Sequence, residues 1–219
     1  MTAMISNQLT EFLRKMIFPR TGLLEKIEKE CRDGFIPMVL PETGQYIQLM
    51  LKALKPSNIL EIGTGIGYST LLMAEVAAET GGKIITIEID PDRYQHAEKN
   101  FKEKQVTGIV RFILGDALKI IPEIGEKYDF VFMDAAKGQY PEFIAKVWPF
   151  ILPGGVLLID NVFLGGWVIE KKWPSRRKKT MVVRVSEMLE KMKENPEMFM
   201  SIIPFGDGLA VCVKRQDAK

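Results

Sequence analysis

ILEIGTGIGYST, residues 59–70, reads as a buried strand that passes through a glycine-rich turn into a helix. Glycine lets a turn of this kind bring its backbone close to a bound cofactor, because it adopts positive φ and has no side chain. The spacing is G-x-G-x-G, not the G-x-G-x-x-G of the dinucleotide fingerprint, and the Lys-Ser/Thr pair of a phosphate-binding loop is missing. Glu61 precedes the turn, where a carboxylate would repel a pyrophosphate and attract a cation. The turn therefore predicts a nucleoside cofactor without phosphate.

Strand and helix patterns alternate after this turn. Helices are expected over 68–79, 91–104, 140–151 and 175–194, and strands over 58–62, 83–89, 109–114, 128–134 and 155–160. The middle strands are apolar throughout, which is typical of a parallel sheet covered by helices on both faces. Two last strands, 199–205 and 208–214, are too close together for a crossover helix, so they should be antiparallel neighbours. The sequence predicts an α/β fold, a doubly wound and mostly parallel sheet with an antiparallel last strand.

The composition fits one domain. The chain has 219 residues, of which 47% are hydrophobic and 26% charged, enough apolar material for a single core. We expect one domain over 1–219, with the N-terminal helices in 1–35 as an appendage. The net charge of +2 indicates no class of partner, so any basic character must be local.

Cysteine usage and hydropathy bear on the compartment. Cys31 and Cys212 lie far apart with no metal-binding spacing, as expected of reduced thiols in a cytoplasmic protein. Residues 1–20 contain scattered charges and lack the apolar core of a signal peptide. No run approaches the roughly 18 apolar residues of a membrane span. We expect a cytoplasmic location and no membrane contact.

Acidic residues follow the first three strands of the predicted sheet, where open parallel sheets bind their ligands. S-adenosylmethionine carries an ammonium, a sulfonium and no phosphate, so Glu61 near its aminoacyl end makes electrostatic sense. Glu88 ends the second strand, where an acid pairs with ribose hydroxyls, and Asp116 follows the third, where it could accept a hydrogen bond from the adenine amine. The alternative is a strand, turn and helix packed on glycines with no ligand. The three acids together favour a site for S-adenosylmethionine.

Oxygen ligands follow the next two strands. Asp134 ends the fourth, and Asp160 with Asn161 ends the fifth. If these strands are neighbours, the three side chains converge beside the methyl end of the cofactor and suit a hard cation, above all Mg²⁺. The alternative is that they cap the following turns. The chain has no Cys/His cluster, so we do not expect zinc.

Lys137 follows Asp134 closely and is the candidate base. A dication lowers the pKa of a hydroxyl bound to it, and it also disfavours the charged form of a nearby lysine. Lys137 could then accept the proton of an acceptor hydroxyl. The alternative is a solvated surface lysine.

Four separated motifs, LEIGTGIGYS, DAAKGQY, IDNVFLGG and IPFGDGL, resemble in order those of the cation-dependent O-methyltransferases, the family of catechol and caffeoyl-coenzyme-A O-methyltransferases. The resemblance runs from about Met38 to the C-terminus and implies a Rossmann-like class I methyltransferase fold, S-adenosylmethionine, Mg²⁺ and a homodimer. It implies Asp134, Asp160 and Asn161 as metal ligands, with Lys137 and Asp134 as catalytic residues. The implied cofactor contacts are Val39, Glu61, Gly63, Ser69, Glu88, Asp116, Ala117 and Asp134.

Within this family, DAAKGQY, DNVFLGG and a later basic run look like those of the bacterial tRNA 5-hydroxyuridine methyltransferases. FIPMVLPETGQ, 35–45, instead resembles the general bacterial members. The acceptor is therefore either 5-hydroxyuridine at the tRNA wobble position or a small catechol-like phenol. A third reading, from another class, is a nucleoside-binding module without catalysis.

The basic run KKWPSRRKK, residues 171–179 and hereafter the basic segment, holds six cationic residues and Trp173. It follows Asn161 closely, so it should lie at the substrate mouth, where cations could hold RNA phosphates and Trp173 could stack on a base. The alternative is a solvated loop and first helical turn. That position is electrostatically poor for cations, because it is the positive end of the helix dipole.

Overall fold

The structure is a computed structural model that describes the backbone of residues 3–171, 173, 175–204 and 206–216, with the side chains in these ranges except those of 3–7 and 177. Its helices are α1 Ala3–Lys15, α2 Leu23–Gly34, α3 Pro41–Leu54, α4 Tyr68–Thr80, α5 Pro91–Glu103, α6 Ala117–Ile124, α7 Tyr140–Val147, α8 Trp167–Glu170 and α9 Arg176–Glu194. Its strands are β1 Asn58–Ile62, β2 Lys83–Glu88, β3 Val110–Leu114, β4 Tyr128–Met133, β5 Ile151–Ile159, β6 Met198–Ile203 and β7 Leu209–Lys214.

Within these ranges one seven-stranded sheet has the order β3-β2-β1-β4-β5-β7-β6. Strands β1 to β5 are parallel, and β7 pairs antiparallel with both β5 and β6. The predicted fold, mostly parallel with an antiparallel last strand, is confirmed. The chain turns outward from β1 to β2 and β3, then returns to start β4 on the other side. The switch in strand order thus lies between β1 and β4, where ligands of such sheets bind.

Helices cover both faces of the sheet, which explains the apolar strands. Neighbouring strand residues belong to different hydrophobic clusters: Ile59 packs into one and Leu60 into the other. The first cluster takes side chains from α2, α3, α4 and α5, such as Leu24 and Phe101. The second takes them from α6, α7 and α9, such as Val185. Both side-chain directions of each central strand are therefore buried.

Two local predictions were wrong. The helix expected over 140–151 ends at Val147, and β5 begins at Ile151, earlier than the expected 155. Pro149 sits in the 3₁₀ turn between them, Trp148–Phe150, and cannot donate the backbone hydrogen bond that would continue the helix. Helix α6 was not expected, since it is short and contains Pro122 in its last turn.

The other boundaries agree within a few residues. Phe205, the last residue of the strand expected over 199–205, lies outside the described residues. In the described part of the chain, no helix is long and apolar enough to cross a membrane.

Candidate active site

A cavity of about 400 Å³ opens at the carboxyl ends of β1 to β4. Its volume suits a nucleoside-sized ligand. The predicted site residues on its wall are Val39, Gly63, Ser69, Glu88, Asp116, Ala117, Asp134 and Lys137. Three others, Glu61, Asp160 and Asn161, are not among its lining residues.

The glycine-rich turn brings β1 against β4. Gly63 has φ +95°, and a Cβ built on it would lie 2.2 Å from the carbonyl oxygen of Asp134. Its N–H donates to the carbonyl of Ile87 at 3.0 Å. Only glycine permits this approach, so the turn itself fixes the position of the Asp134 backbone beside the cavity.

Glu61 lies beneath the cavity and is fully buried. Its Oε1 accepts from the Ser69 hydroxyl at 2.5 Å, and its Oε2 accepts from the hydroxyls of Thr70 and Thr86. Burial raises the pKa of Glu61 from 4.5 to about 7 despite these hydrogen bonds, which favour the charged form, and the charge of Asp134 adds to the rise. Glu61 therefore holds Ser69, which does line the cavity.

Glu88 ties the glycine-rich turn to the end of β2. Its Oε2 accepts from the N–H of Gly65 at 2.7 Å, and its Oε1 accepts from the N–H groups of Ile89 and Asp90, each at 2.9 Å. The carboxylate is buried yet lies on the cavity wall. Carboxylate oxygens accept more than one hydrogen bond each, so Glu88 can support the turn and still accept from ligand hydroxyls.

Asp116 is the N-cap of α6, where its Oδ1 accepts from the N–H of Leu118 at 2.9 Å. This capping role of Asp116 was not predicted, since capping was weighed as an alternative only for Asp134, Asp160 and Asn161. Asp116 also lines the cavity, so the cap orients a carboxylate that a ligand can reach.

The second group of predicted residues follows the neighbouring strands β4 and β5. The N–H of Asp134 donates to the Ile62 carbonyl, and that of Asp160 donates to the Met133 carbonyl, both at 3.0 Å. The Lys137 ammonium donates to Oδ1 of Asp134. Asn161 has φ +57°, an uncommon backbone conformation for a residue other than glycine.

Asp160 is 2% exposed, and its Oδ1 accepts from the N–H of Asn161 at 2.8 Å. Burial, followed by the charge of Asp134, raises the pKa of Asp160 to about 7, and Lys137 opposes that rise. Asp207 also raises it. A dication would relieve this crowding of negative charge, and the donor set of two carboxylates and a carboxamide consists of the oxygens that Mg²⁺ prefers.

Among the described residues, no group of three or more His, Cys, Asp or Glu side chains is arranged so that it could hold a metal ion. The set predicted here falls outside that pattern, since its third member is Asn161. The oxygen atoms of Asp134, Asp160 and Asn161 are of the kind that a hard cation binds. Their role as a ligand set remains a prediction.

Sequence reasoning missed two residues of this region. The Tyr140 hydroxyl donates to the carbonyl of Asp160 at 3.0 Å, and the Asp207 carboxylate accepts from the N–H of Gly165 at 2.6 Å. Both belong to motifs already noted, DAAKGQY and IPFGDGL. The sequence pattern marks Tyr140 only as the start of a helix and Asp207 only as a residue between the last two strands.

The basic segment follows α8 and leads into α9. Trp173 is 40% exposed, and Nζ of Lys179 lies 4.9 Å from its ring centroid. Nζ of Lys178 lies 4.6 Å from the ring centroid of Trp167. Helix α9 also packs against the turn that contains Lys137. Lys172, Pro174 and the side chain of Arg177 lie outside the described residues.

The sheet order and the acid-lined cavity at the switch point fit a methyltransferase that uses S-adenosylmethionine. The family model described as O-methyltransferase matches residues 20–215. The chain belongs to this O-methyltransferase family, which confirms the predicted family and class of enzyme.

Curated relatives and a solved structure agree with this assignment. The chain is 35% identical to a catechol O-methyltransferase of Niastella koreensis over 61% of this chain and 62% of the relative. It is 30% identical to a caffeoyl-CoA O-methyltransferase of Medicago sativa over 91% and 85%. The crystal structure of an O-methyltransferase from Bacillus cereus in complex with SAH superposes with a TM-score of 0.83 at 25% identity, covering 95% of this chain and 97% of that one.

Proposed function

We propose that the protein transfers a methyl group from S-adenosylmethionine to a hydroxyl of an acceptor that presents two neighbouring oxygens, with Mg²⁺ and Lys137 assisting. One observation carries this proposal: Asp134 and Lys137 line the cavity at the end of β4, and Asp160 and Asn161 directly follow the adjacent strand β5. The proposed cofactor site and the proposed metal site would thus meet at the carboxyl end of β4, which lies between β1 and β5.

The cofactor is proposed to lie in the cavity described above. Glu88 would accept from its ribose hydroxyls and Asp116 from its adenine amine. Gly63, Val39 and Ala117 would line it closely, and Ser69 would contact its aminoacyl end, held there by Glu61. The SAH bound to the Bacillus cereus relative supports this occupant.

Asp134, Asp160 and Asn161 would hold the cation. When bound, a dication acts as a Lewis acid that lowers the pKa of an acceptor hydroxyl and orients its neighbouring oxygen. Lys137, as its neutral amine, would then take the hydroxyl proton on Nζ. The acceptor oxygen forms a bond to the methyl carbon as the carbon–sulfur bond breaks in line, giving a methyl ether and S-adenosylhomocysteine. Positioning and charge stabilisation by these residues should supply most of the rate.

The first candidate acceptor is 5-hydroxyuridine in tRNA, whose 5-hydroxyl and 4-carbonyl are neighbouring oxygens. The basic segment favours it, because Lys178 and Lys179 are exposed at the start of α9, the helix that packs against the Lys137 turn. Cations there would contact phosphates, and the half-exposed ring of Trp173 would stack on a base.

The second candidate is a small catechol-like phenol. The relatives from Niastella koreensis and Medicago sativa favour it, since their names specify catechol and caffeoyl-CoA. On this reading the lysines of the basic segment do no more than cover Trp167 and Trp173.

We also propose that the protein is a homodimer and that each chain is one domain with residues 1–35 appended. We further propose a cytoplasmic location, which suits the buried free thiols of Cys31 and Cys212. Light scattering of the purified protein tests the dimer.

The deciding experiment incubates the protein with labelled S-adenosylmethionine and Mg²⁺. The acceptors are tRNA bearing unmethylated 5-hydroxyuridine and, separately, a panel of catechols, each with and without chelator. The first candidate is supported if tRNA alone becomes labelled and chelator abolishes that labelling. The second is supported if only catechols become labelled. Cofactor binding without transfer to any acceptor supports a non-catalytic nucleoside-binding module and overturns the proposal.

A further inference from the structure

The turn between β6 and β7 is hydrogen-bonded to the segment that follows Asn161. The N–H of Val162 donates to the Gly208 carbonyl at 3.0 Å, and that of Phe163 donates to the Asp207 carbonyl at 2.8 Å. The N–H of Gly165 donates to Oδ1 of Asp207 at 2.6 Å. Asp207 therefore accepts two of these three hydrogen bonds, one through its backbone and one through its side chain.

This segment needs an external support. Asn161 and Leu164 have φ of +57° and +52°, in the left-handed region that side-chain-bearing residues rarely occupy. Such conformations persist where the surrounding structure holds them. The turn supplies acceptors for the N–H groups of Val162, Phe163 and Gly165, which flank both residues. Two of these acceptors are backbone carbonyls and the third is the Asp207 carboxylate.

Van der Waals packing adds to the contact between this segment and the turn. Gly208 has φ +81°, and a Cβ built on it would lie 2.5 Å from the ring of Phe163. The Phe163 ring thus packs directly on the turn backbone. The segment after β5 is held at this turn by hydrogen bonds and by van der Waals contact together.

We propose that Asp207 is a positioning residue: its carboxylate fixes the segment after β5 and thereby holds Asp160 and Asn161 in place to bind the divalent cation. This inference rests on the proposed function, which assigns those two residues to the cation. Asp207 acts here through Gly165, and it needs no contact with the ion. Side chains that orient metal ligands typically change metal affinity by about 10–100-fold when they are removed.

Two substitutions separate the hydrogen bond from the charge. Asp207→Ala removes the acceptor of the Gly165 N–H, whereas Asp207→Asn keeps an acceptor oxygen and loses only the charge. Asp129→Ala is the matched control, because the Asp129 carboxylate also accepts from backbone N–H groups. Its Oδ2 accepts from those of Ser57 and Asn58 at 3.0 and 2.9 Å. Those hydrogen bonds lie at the opposite end of the sheet.

The measurements are the affinity for Mn²⁺, read from the electron paramagnetic resonance of the free ion, and the affinity for S-adenosylmethionine, read by calorimetry. We expect Asp207→Ala to weaken Mn²⁺ binding by about tenfold or more, with cofactor affinity unchanged. We expect Asp207→Asn and Asp129→Ala to bind Mn²⁺ nearly as the wild type does. Hydrogen exchange should speed up at Val162, Phe163 and Gly165 in Asp207→Ala alone.

Several results would overturn the inference. Normal Mn²⁺ binding by Asp207→Ala removes the positioning role while leaving the proposed function intact. Equal losses in Asp207→Ala and Asp207→Asn assign the effect to charge instead of the hydrogen bond. Equal weakening by Asp129→Ala assigns it to general destabilisation. If the wild type binds no Mn²⁺, or Asp160→Asn binds it unchanged, the cation site of the proposed function fails first and this inference with it.

Discussion

Lys137 donates to Asp134 and lies 5.7 Å from the ring centroid of Tyr140, so its ammonium is fixed at the mouth of the cavity. If it removes the acceptor proton, Lys137→Met should lower kcat by about 100–10,000-fold. Lys137→Arg should lower it as much, because arginine keeps the positive charge but cannot act as a base. Steady-state kcat and the rate of methyl transfer in a single turnover are measured for both variants.

The exposed Lys146 on α7 provides the control, since Lys146→Met removes a lysine away from the cavity. Affinity for S-adenosylmethionine should stay within about twofold in all three variants, because general-base catalysis acts on the chemical step. A Lys137→Arg enzyme with near-normal kcat would show that the side chain serves through its charge.

Glu61 makes the stability of the cofactor-free protein depend on pH. Its pKa is raised by burial from 4.5 to about 7, so between these values the folded state binds more protons than the unfolded chain. The resulting stabilisation is fully present below pH 4.5, is lost as the pH rises to about 7, and changes no further above that. The loss is of the order of 3 kcal/mol, since one pKa unit corresponds to about 1.4 kcal/mol.

Glu61→Gln keeps the shape and removes the titration. Urea unfolding at pH 5 and pH 8 should show the wild type losing stability relative to this variant, while the titration of Asp160 affects both proteins alike. A gap between the two proteins that does not change with pH would mean that the hydroxyls of Ser69, Thr70 and Thr86 keep Glu61 ionised throughout.

The glycine-rich turn after β1 gives a prediction about backbone contact. In Gly63→Ala the new methyl group would meet the backbone of Asp134 and Ala135, at 2.2 Å from the carbonyl oxygen of Asp134. The end of β4 must then shift, so we expect cofactor affinity to fall by more than about tenfold, beside a loss of stability of about 1–3 kcal/mol beyond that of the control.

Gly81→Ala is the matched control, because Gly81 has φ +82° and no atom within 4 Å of a built Cβ. It carries the same left-handed backbone cost, about 1–2 kcal/mol, without the collision. Calorimetry with S-adenosylmethionine and urea unfolding compare the two variants. Equal behaviour would mean that the contact between β1 and β4 does not shape the cavity.

The strand ends show what the sequence could predict. Glu88, Asp116 and Asp134 reach the cavity as expected, because the carboxyl ends of parallel strands lie at one edge of the sheet. Short apolar runs bounded by turn residues also mark those strands in the sequence. The orientation of Glu61 could not be foreseen. It depends on hydroxyls from α4 and β2 that only the folded chain brings together.

Local rules also failed where tertiary contacts decide. Helix α6 forms despite Pro122 because Asp116 caps it and Ile121 is buried in the core. Asp207 was missed because its hydrogen bonds are made with Phe163 and Gly165, more than forty residues earlier in the chain. No spacing pattern in the sequence encodes such a pairing.

The salt dependence of RNA binding depends on how positive charge is distributed over the protein surface. The net charge of +2 is too small to attract RNA by itself, so affinity must come from a local patch. If Lys178 and Lys179 bind phosphates, replacing both with Gln should weaken tRNA binding. It should also reduce the slope of log K against log salt by about 0.7 for each single-stranded phosphate that the variant no longer neutralises. Filter binding at several salt concentrations measures the slope.

Lys191 and Lys193, in the last turn of the same helix α9, are the matched pair, because both are exposed and their double replacement removes the same charge. If the two double variants lower the slope equally, RNA responds only to overall charge and the basic segment is not a docking surface. If only the Lys178 and Lys179 variant lowers it while transfer to a catechol is unchanged, the cation-bearing start of α9 selects RNA. Its position at the positive end of the helix dipole, unfavourable for stability, is then explained by substrate binding.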